Sequence, residues 1–196
     1  QTAEKTAIYE YNGLGYRTGK CVTDRNQVRQ DIRYVSDYRK IYNNLLERAN
    51  GTETEDYFWG QGLEGYSSRN GNTGWYVTDA LGSVLRKGSF EDPATDSSNG
   101  YMEFYDEFGN MSMGQEQEDE FFGYNGFLFD SVAGTWFAQA RQYRSGVGMF
   151  DARDRFGGEI TTPETLNPYT YCINDPLNYT DKSGYWFGLD DAIAAG

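Results

Sequence analysis

Short runs of aromatic and β-branched residues, in partial alternation with polar ones, recur along the chain, as in Trp75-Tyr76-Val77-Thr78, Tyr101-Met102-Glu103-Phe104-Tyr105 and Phe127-Leu128-Phe129. Bulky residues in this pattern predict strands. Each run stops at an Asp with a Gly shortly after it: Asp79-Ala80-Leu81-Gly82, Asp106-Glu107-Phe108-Gly109 and, one residue longer, Asp130 to Gly134. Asp can bond its own backbone two residues on, and Gly accepts the positive φ of a tight turn, so each pair predicts a hairpin. Two further copies follow, Asp154-Arg155-Phe156-Gly157 and Asp181-Lys182-Ser183-Gly184, and the steps from Asp79 to Asp181 are 27, 24, 24 and 27 residues. So regular a period predicts a repeat architecture, whose units bury their apolar faces only by stacking on one another.

The first third is less regular and reads as a meander. Residues 31–37 and 43–48 flank a polar turn at residues 49–52, and a strand pattern resumes over residues 54–59. Tyr9 to Gly15 already has the form of a repeat hairpin, so the chain opens mid-pattern, as a segment of a longer array would. Residues 92–100 and 114–120 read as exposed loops by composition.

An apolar fraction of 38% is thin for an independent globule, but 17 Tyr, 12 Phe and 4 Trp supply buried ring area. The 24 Gly and 4 Pro suit many short strands and turns. A net charge of −13 argues against nucleic acid and against an anionic membrane surface as partner. The basic stretches at residues 141–144 and 153–155 are short and interrupted, and the acidic residues of 116–120 read as a solvated loop.

The absences narrow the chemistry. With no His in the chain, Ser-His-Asp and Cys-His nucleophile systems are excluded and no cofactor or metal is expected. Cys21 and Cys172 read as two buried free thiols rather than a disulfide. No apolar run is long enough to span a membrane.

Five ordered blocks resemble the Rhs repeat-associated core domain: Tyr76 to Ser83, Tyr105 to Asn110, Phe122 to Gly126, Phe137 to Arg144 and Leu166 to Pro176. They lie within residues 75–185, and residues 9–66 resemble the Tyr-Asp repeats that precede that domain. The resemblance implies an all-β fold, a hairpin ribbon forming part of a hollow β-sheet shell whose C-terminal part turns inward as a plug. It divides the chain into a repeat segment (1–74), a core domain (75–185) and the start of a C-terminal effector (186–196). It also implies a bacterial protein, secreted or at the cell surface, with its own effector domain and upstream repeats as partners.

The family carries an aspartyl autoprotease built on two Asp-Pro-x-Gly copies. The matching residues are Asp154 with Gly157 and Asp181 with Gly184; Arg155 and Lys182 stand where the family has Pro, and Tyr185 stands for its final Leu. The interval is longer here, which requires an extra loop at residues 161–164 to bulge outward. The implied cut lies between Tyr185 and Trp186, and Arg153 matches a position that is often basic. Two carboxyls that meet cannot both ionise cheaply, so one would activate water while the other polarises the Tyr185 carbonyl. Read from the residues alone, both aspartates are equally well turn formers. Two alternatives stand beside self-cleavage: an inert structural repeat segment, and an adhesin binding carbohydrate through Trp59, Trp75 and Trp136.

Overall fold

A computed structural model describes residues 5–39, 44–91, 102–111 and 121–185. The expected loops at 92–100 and 114–120, Tyr101, and the tail from Trp186 lie outside the described residues. The chain divides into two units, Gln1–Thr78 with Leu85–Met102, and Asp79–Val84 with Glu103–Gly196. The fold is all-β among the described residues, helical structure being confined to short 3₁₀ turns.

The first unit is built on an eight-stranded sheet in sequence order: β1 (Thr6–Tyr11), β2 (Arg17–Thr23), β3 (Arg29–Asp37), β4 (Asn44–Asn50), β5 (Glu53–Trp59), β6 (Leu63–Ser68), β7 (Thr73–Thr78) and β8 (Val84–Ser89). The expected meander holds. Alternation decides which face is covered: in β3, Ile32 and Tyr34 are buried while Arg33 and Val35, which follow them in turn, are exposed.

One turn recurs through the chain. In residues 79–83 the Asp79 Oδ1 accepts the N–H groups of Leu81 at 2.9 Å and Ser83 at 2.8 Å, the Asp79 carbonyl accepts from Gly82, and Asp79 N–H donates to the Ser83 carbonyl. Asp106 repeats these four bonds with Phe108, Gly109 and Asn110. So do Asn12, with Leu14, Gly15 and Tyr16, and Asp24, with Asn26, Gln27 and Val28. The residue three along has positive φ in every copy, +87° at Gly15, +91° at Gly82 and +83° at Gly109, and Gln27 adopts +62° without being glycine. One side-chain oxygen thus satisfies two turn N–H groups that the strands cannot.

The second unit contains a four-stranded antiparallel sheet, β9 (Leu128–Asp130), β10 (Thr135–Ala138), β11 (Arg141–Arg144) and β12 (Met149–Phe150), paired in sequence order. Its core is aromatic: Tyr124, Phe127, Trp136, Tyr143, Phe150 and Tyr171 are all buried. Their polar ends converge on the Asp106 turn. The Tyr124 and Tyr143 hydroxyls donate to the carbonyls of Glu107 and Phe108 at 2.7 and 2.8 Å, and the Trp136 indole donates to that of Gly109 at 3.1 Å. Burial pushes the Tyr124, Tyr143 and Tyr171 hydroxyls well above the ordinary phenol range. They therefore stay neutral donors.

Candidate functional site

Arg141 and Tyr143 stand two apart on β11 and so share a face. That face is the core, and both are buried. A guanidinium there needs partners. Its carbon lies 3.6 Å from the centroid of the Phe150 ring, its Nε donates to the Gly184 carbonyl, and one terminal nitrogen donates to the Pro168 carbonyl at 3.3 Å. The other terminal nitrogen reaches two carboxylates, Asp154 Oδ2 at 2.8 Å and Asp181 Oδ2 at 3.3 Å. Burial pulls the Arg141 pKa below its ordinary value, against the opposing pull of Asp154 and Asp181.

Both aspartates are presented by loops. After β12, the Asp154 N–H donates to the Pro168 carbonyl at 2.9 Å, and its Oδ1 accepts the Phe156 N–H at 2.8 Å. Asp181 is buried, and its Oδ1 accepts the Gly184 N–H at 2.8 Å and the Ser183 hydroxyl at 3.1 Å. The same Ser183 oxygen accepts the Tyr185 N–H at 3.2 Å. Gly184 has φ +69°, and a Cβ built on it would lie 2.0 Å from the Ala138 carbonyl oxygen, so the segment approaches β10 as only glycine can. A cleft opens over the two carboxylates, lined also by Phe156, Asn167, Thr170 and Ile173.

The two aspartates singled out by spacing therefore meet on one nitrogen. The extra residues between them form an exposed excursion closed on itself: Thr165 Oγ accepts the Glu159 N–H at 2.8 Å and donates to the Thr162 carbonyl at 2.7 Å. Arg153 lies exposed just before Asp154. The cation that both carboxylates reach is Arg141, which in the sequence stands out only as one end of a short basic stretch within the block Phe137 to Arg144. Its signal was available: it is an arginine in register with an inward tyrosine. Gly157 is exposed, and the left-handed glycine of its loop is its neighbour Gly158, at φ +77°. Trp186 lies outside the described residues. Among those described, no group of three or more Cys, Asp or Glu is arranged to hold a metal ion, and no helix is long and apolar enough to cross a membrane.

No protein-family model matches the chain. It is similar to the tRNA3(Ser)-specific nuclease WapA of Bacillus spizizenii, 27% identical over 93% of this chain but only 8% of that protein. It is also similar to the tRNA(Glu)-specific nuclease WapA of Bacillus subtilis subsp. natto, 31% identical over 42% of this chain and 4% of that protein. The nuclease activities named belong to those whole proteins, of which this chain matches a small part. Among solved structures, TcdB2-TccC3 superposes with TM-score 0.62 at 19% identity, covering 91% of this chain and 9% of that one. A Tc holotoxin pore of Photorhabdus luminescens gives TM-score 0.60 at 16% identity over 95% of this chain and 9% of that one. At those identities the likeness is one of fold.

Proposed function

We propose that this chain, a member of the Rhs family, is the closing segment of a repeat shell that cuts itself after Tyr185 and so frees an enclosed C-terminal effector. The observation that carries the reading is the meeting of Asp154 and Asp181 on one nitrogen of a buried arginine whose Nε grips the Gly184 carbonyl. The peptide leading to the bond is thereby tied to the groups that would cut it. In this reading residues 1–74 are repeat shell, 75–185 the core domain and 186–196 the start of the effector, in a protein delivered outside a bacterial cell or held at its surface.

The chemistry follows from charge. With Arg141 positive, the three-group cluster is neutral when one carboxyl holds a proton and the other is ionised, a state that an enclosed site favours over net charge. The ionised carboxylate takes a proton from water as the water oxygen attacks the Tyr185 carbonyl carbon, and the protonated one donates to the carbonyl oxygen. Collapse breaks the C–N bond to Trp186, and the carboxyl pair passes a proton to the leaving amine. A carboxyl terminus at Tyr185 and an amino terminus at Trp186 result.

Intact mass spectrometry of the full-length chain tests this. Wild type should separate between Tyr185 and Trp186, and Asp154→Asn or Asp181→Asn should slow that by about 10²–10⁴-fold, the usual worth of a positioned acid or base. A folded wild type of undivided mass would make the cluster a structural ion group. The carbohydrate alternative loses support at its platforms. Trp136 is 1% exposed, and the Trp59 indole N–H is engaged by the Leu45 carbonyl at 2.7 Å.

A further inference from the structure

Tyr185, the residue before the proposed cut, has its backbone fixed from the Asp181 side by Ser183 and by the seat of Gly184 against β10. Its side chain is met from the other side. The guanidinium carbon of Arg155, the residue next to Asp154, lies 5.8 Å from the Tyr185 ring centroid, within cation–π reach. Arg155 is exposed and Tyr185 half-buried, so the cation covers the ring from the solvent side. The Asp154 and Asp181 loops are thus joined twice, inside by Arg141 and at the rim by Arg155 on Tyr185. Proline and leucine at these two positions could make no such contact, one lacking a cation and the other a π face.

We propose that Arg155 is a specificity-determining residue of this site, seating an aromatic side chain at the position before the cut. The proposal rests on the reading of Asp154 and Asp181 as a self-cutting pair. What it adds is that the pair selects its bond partly through the ring of Tyr185. Arg155 takes no part in proton transfer, so its removal should slow cutting without abolishing it.

The test is a time course of self-cutting in the full-length chain after dilution from denaturant. Arg155→Ala should slow the appearance of the C-terminal product by about two- to fivefold when residue 185 is Tyr, as expected from an exposed cation–π contact. Arg155→Lys and Tyr185→Phe should keep most of the rate. In a Tyr185→Leu background Arg155→Ala should change nothing; equal slowing in both backgrounds, or none in either, overturns the proposal. A second arm does not depend on self-cutting. In an Asp154→Asn chain, chymotrypsin nicking after Tyr185, located by mass, should quicken about two- to fivefold on Arg155→Ala as the ring is uncovered. An unchanged nicking rate overturns the seat; a chain with both aspartates that never cuts itself overturns the proposed function and the specificity role with it, even where nicking quickens.

Discussion

Asp154 and Asp181 do not close the recurrent turn of residues 79–83 and 106–110, and Asp130, one residue longer to its Gly, closes a different one in which its Oδ1 takes the N–H groups of Val132 and Ala133. In the recurrent turn one oxygen takes two backbone N–H groups and the aspartate N–H donates four residues on. Asp154 instead sends its N–H to Pro168 and its Oδ2 to Arg141, and Asp181 turns its Oδ2 to the same arginine. The Asp-x-x-Gly pattern was therefore legible as a series, but the departure of its last two members was not, because it depends on an arginine ten or more residues away. Gly184 offers a test of how tightly that geometry is drawn. Gly184→Ala would push a methyl into the Ala138 carbonyl at a φ that costs about 1–2 kcal/mol for an L-residue. Self-cutting should fall more than about tenfold, in line with a small misplacement at a reacting centre, while near-ultraviolet circular dichroism of the aromatic core stays unchanged.

Turns and strands differed in how far the sequence disclosed them. The hairpins at Asp79 and Asp106 were read from Asp and Gly alone, whereas the one at residues 24–28 was hidden because Gln27 occupies the left-handed position where the others have Gly. That misfit is removable: Gln27→Gly should raise the stability of the first unit by about 0.5–1 kcal/mol, the relief of left-handed strain less the entropy of an added glycine. The midpoint of urea unfolding measures it. The strand expected over residues 101–105 is reduced, among its described residues, to a single bridge between Tyr105 and Met111. Packing overrides propensity there. The Tyr105 ring lies 6.0 Å from both Tyr124 and Trp136, and its hydroxyl donates to the Val84 carbonyl at 2.9 Å.

Beyond single elements, side chains tie strands of the eight-stranded sheet that are not neighbours in it. Strands β5 and β8 are three spacings apart in the sheet order, roughly 14 Å, a gap that two long side chains can just span. Lys87 Nζ on β8 stands 2.8 Å from Glu55 on β5 and 4.0 Å from the Tyr66 ring centroid on β6. Glu55 also accepts from the Tyr57 hydroxyl at 2.7 Å and from Arg48 at 3.3 Å, so one carboxylate gathers side chains of β4, β5 and β8. Burial works to raise its pKa, but Lys87, Tyr57 and Arg48 more than offset this and hold it below the ordinary value of 4.5. A carboxyl lowered by folding stabilises the folded state fully above its ordinary value and loses that contribution as pH falls through the lowered one. Thermal unfolding followed between about pH 6 and pH 3 should show this loss, and Glu55→Gln should be less stable at neutral pH with a flatter acid limb. The meander and several strands of this unit are legible in the sequence, but not the Lys87–Glu55 tie, whose partners lie 32 residues apart.

The hold of Arg141 on the Gly184 carbonyl, with Gly184 seated against Ala138, reaches past the moment of cutting. If the proposed cut frees what begins at Trp186, the stump ending in Tyr185 would stay tethered where it was made and fill the place that a second peptide would need. On the proposed reading such a chain would behave as a fuse: it would fire once, in proportion to the number of molecules folded, and its output would be a count of assembled shells rather than a turnover.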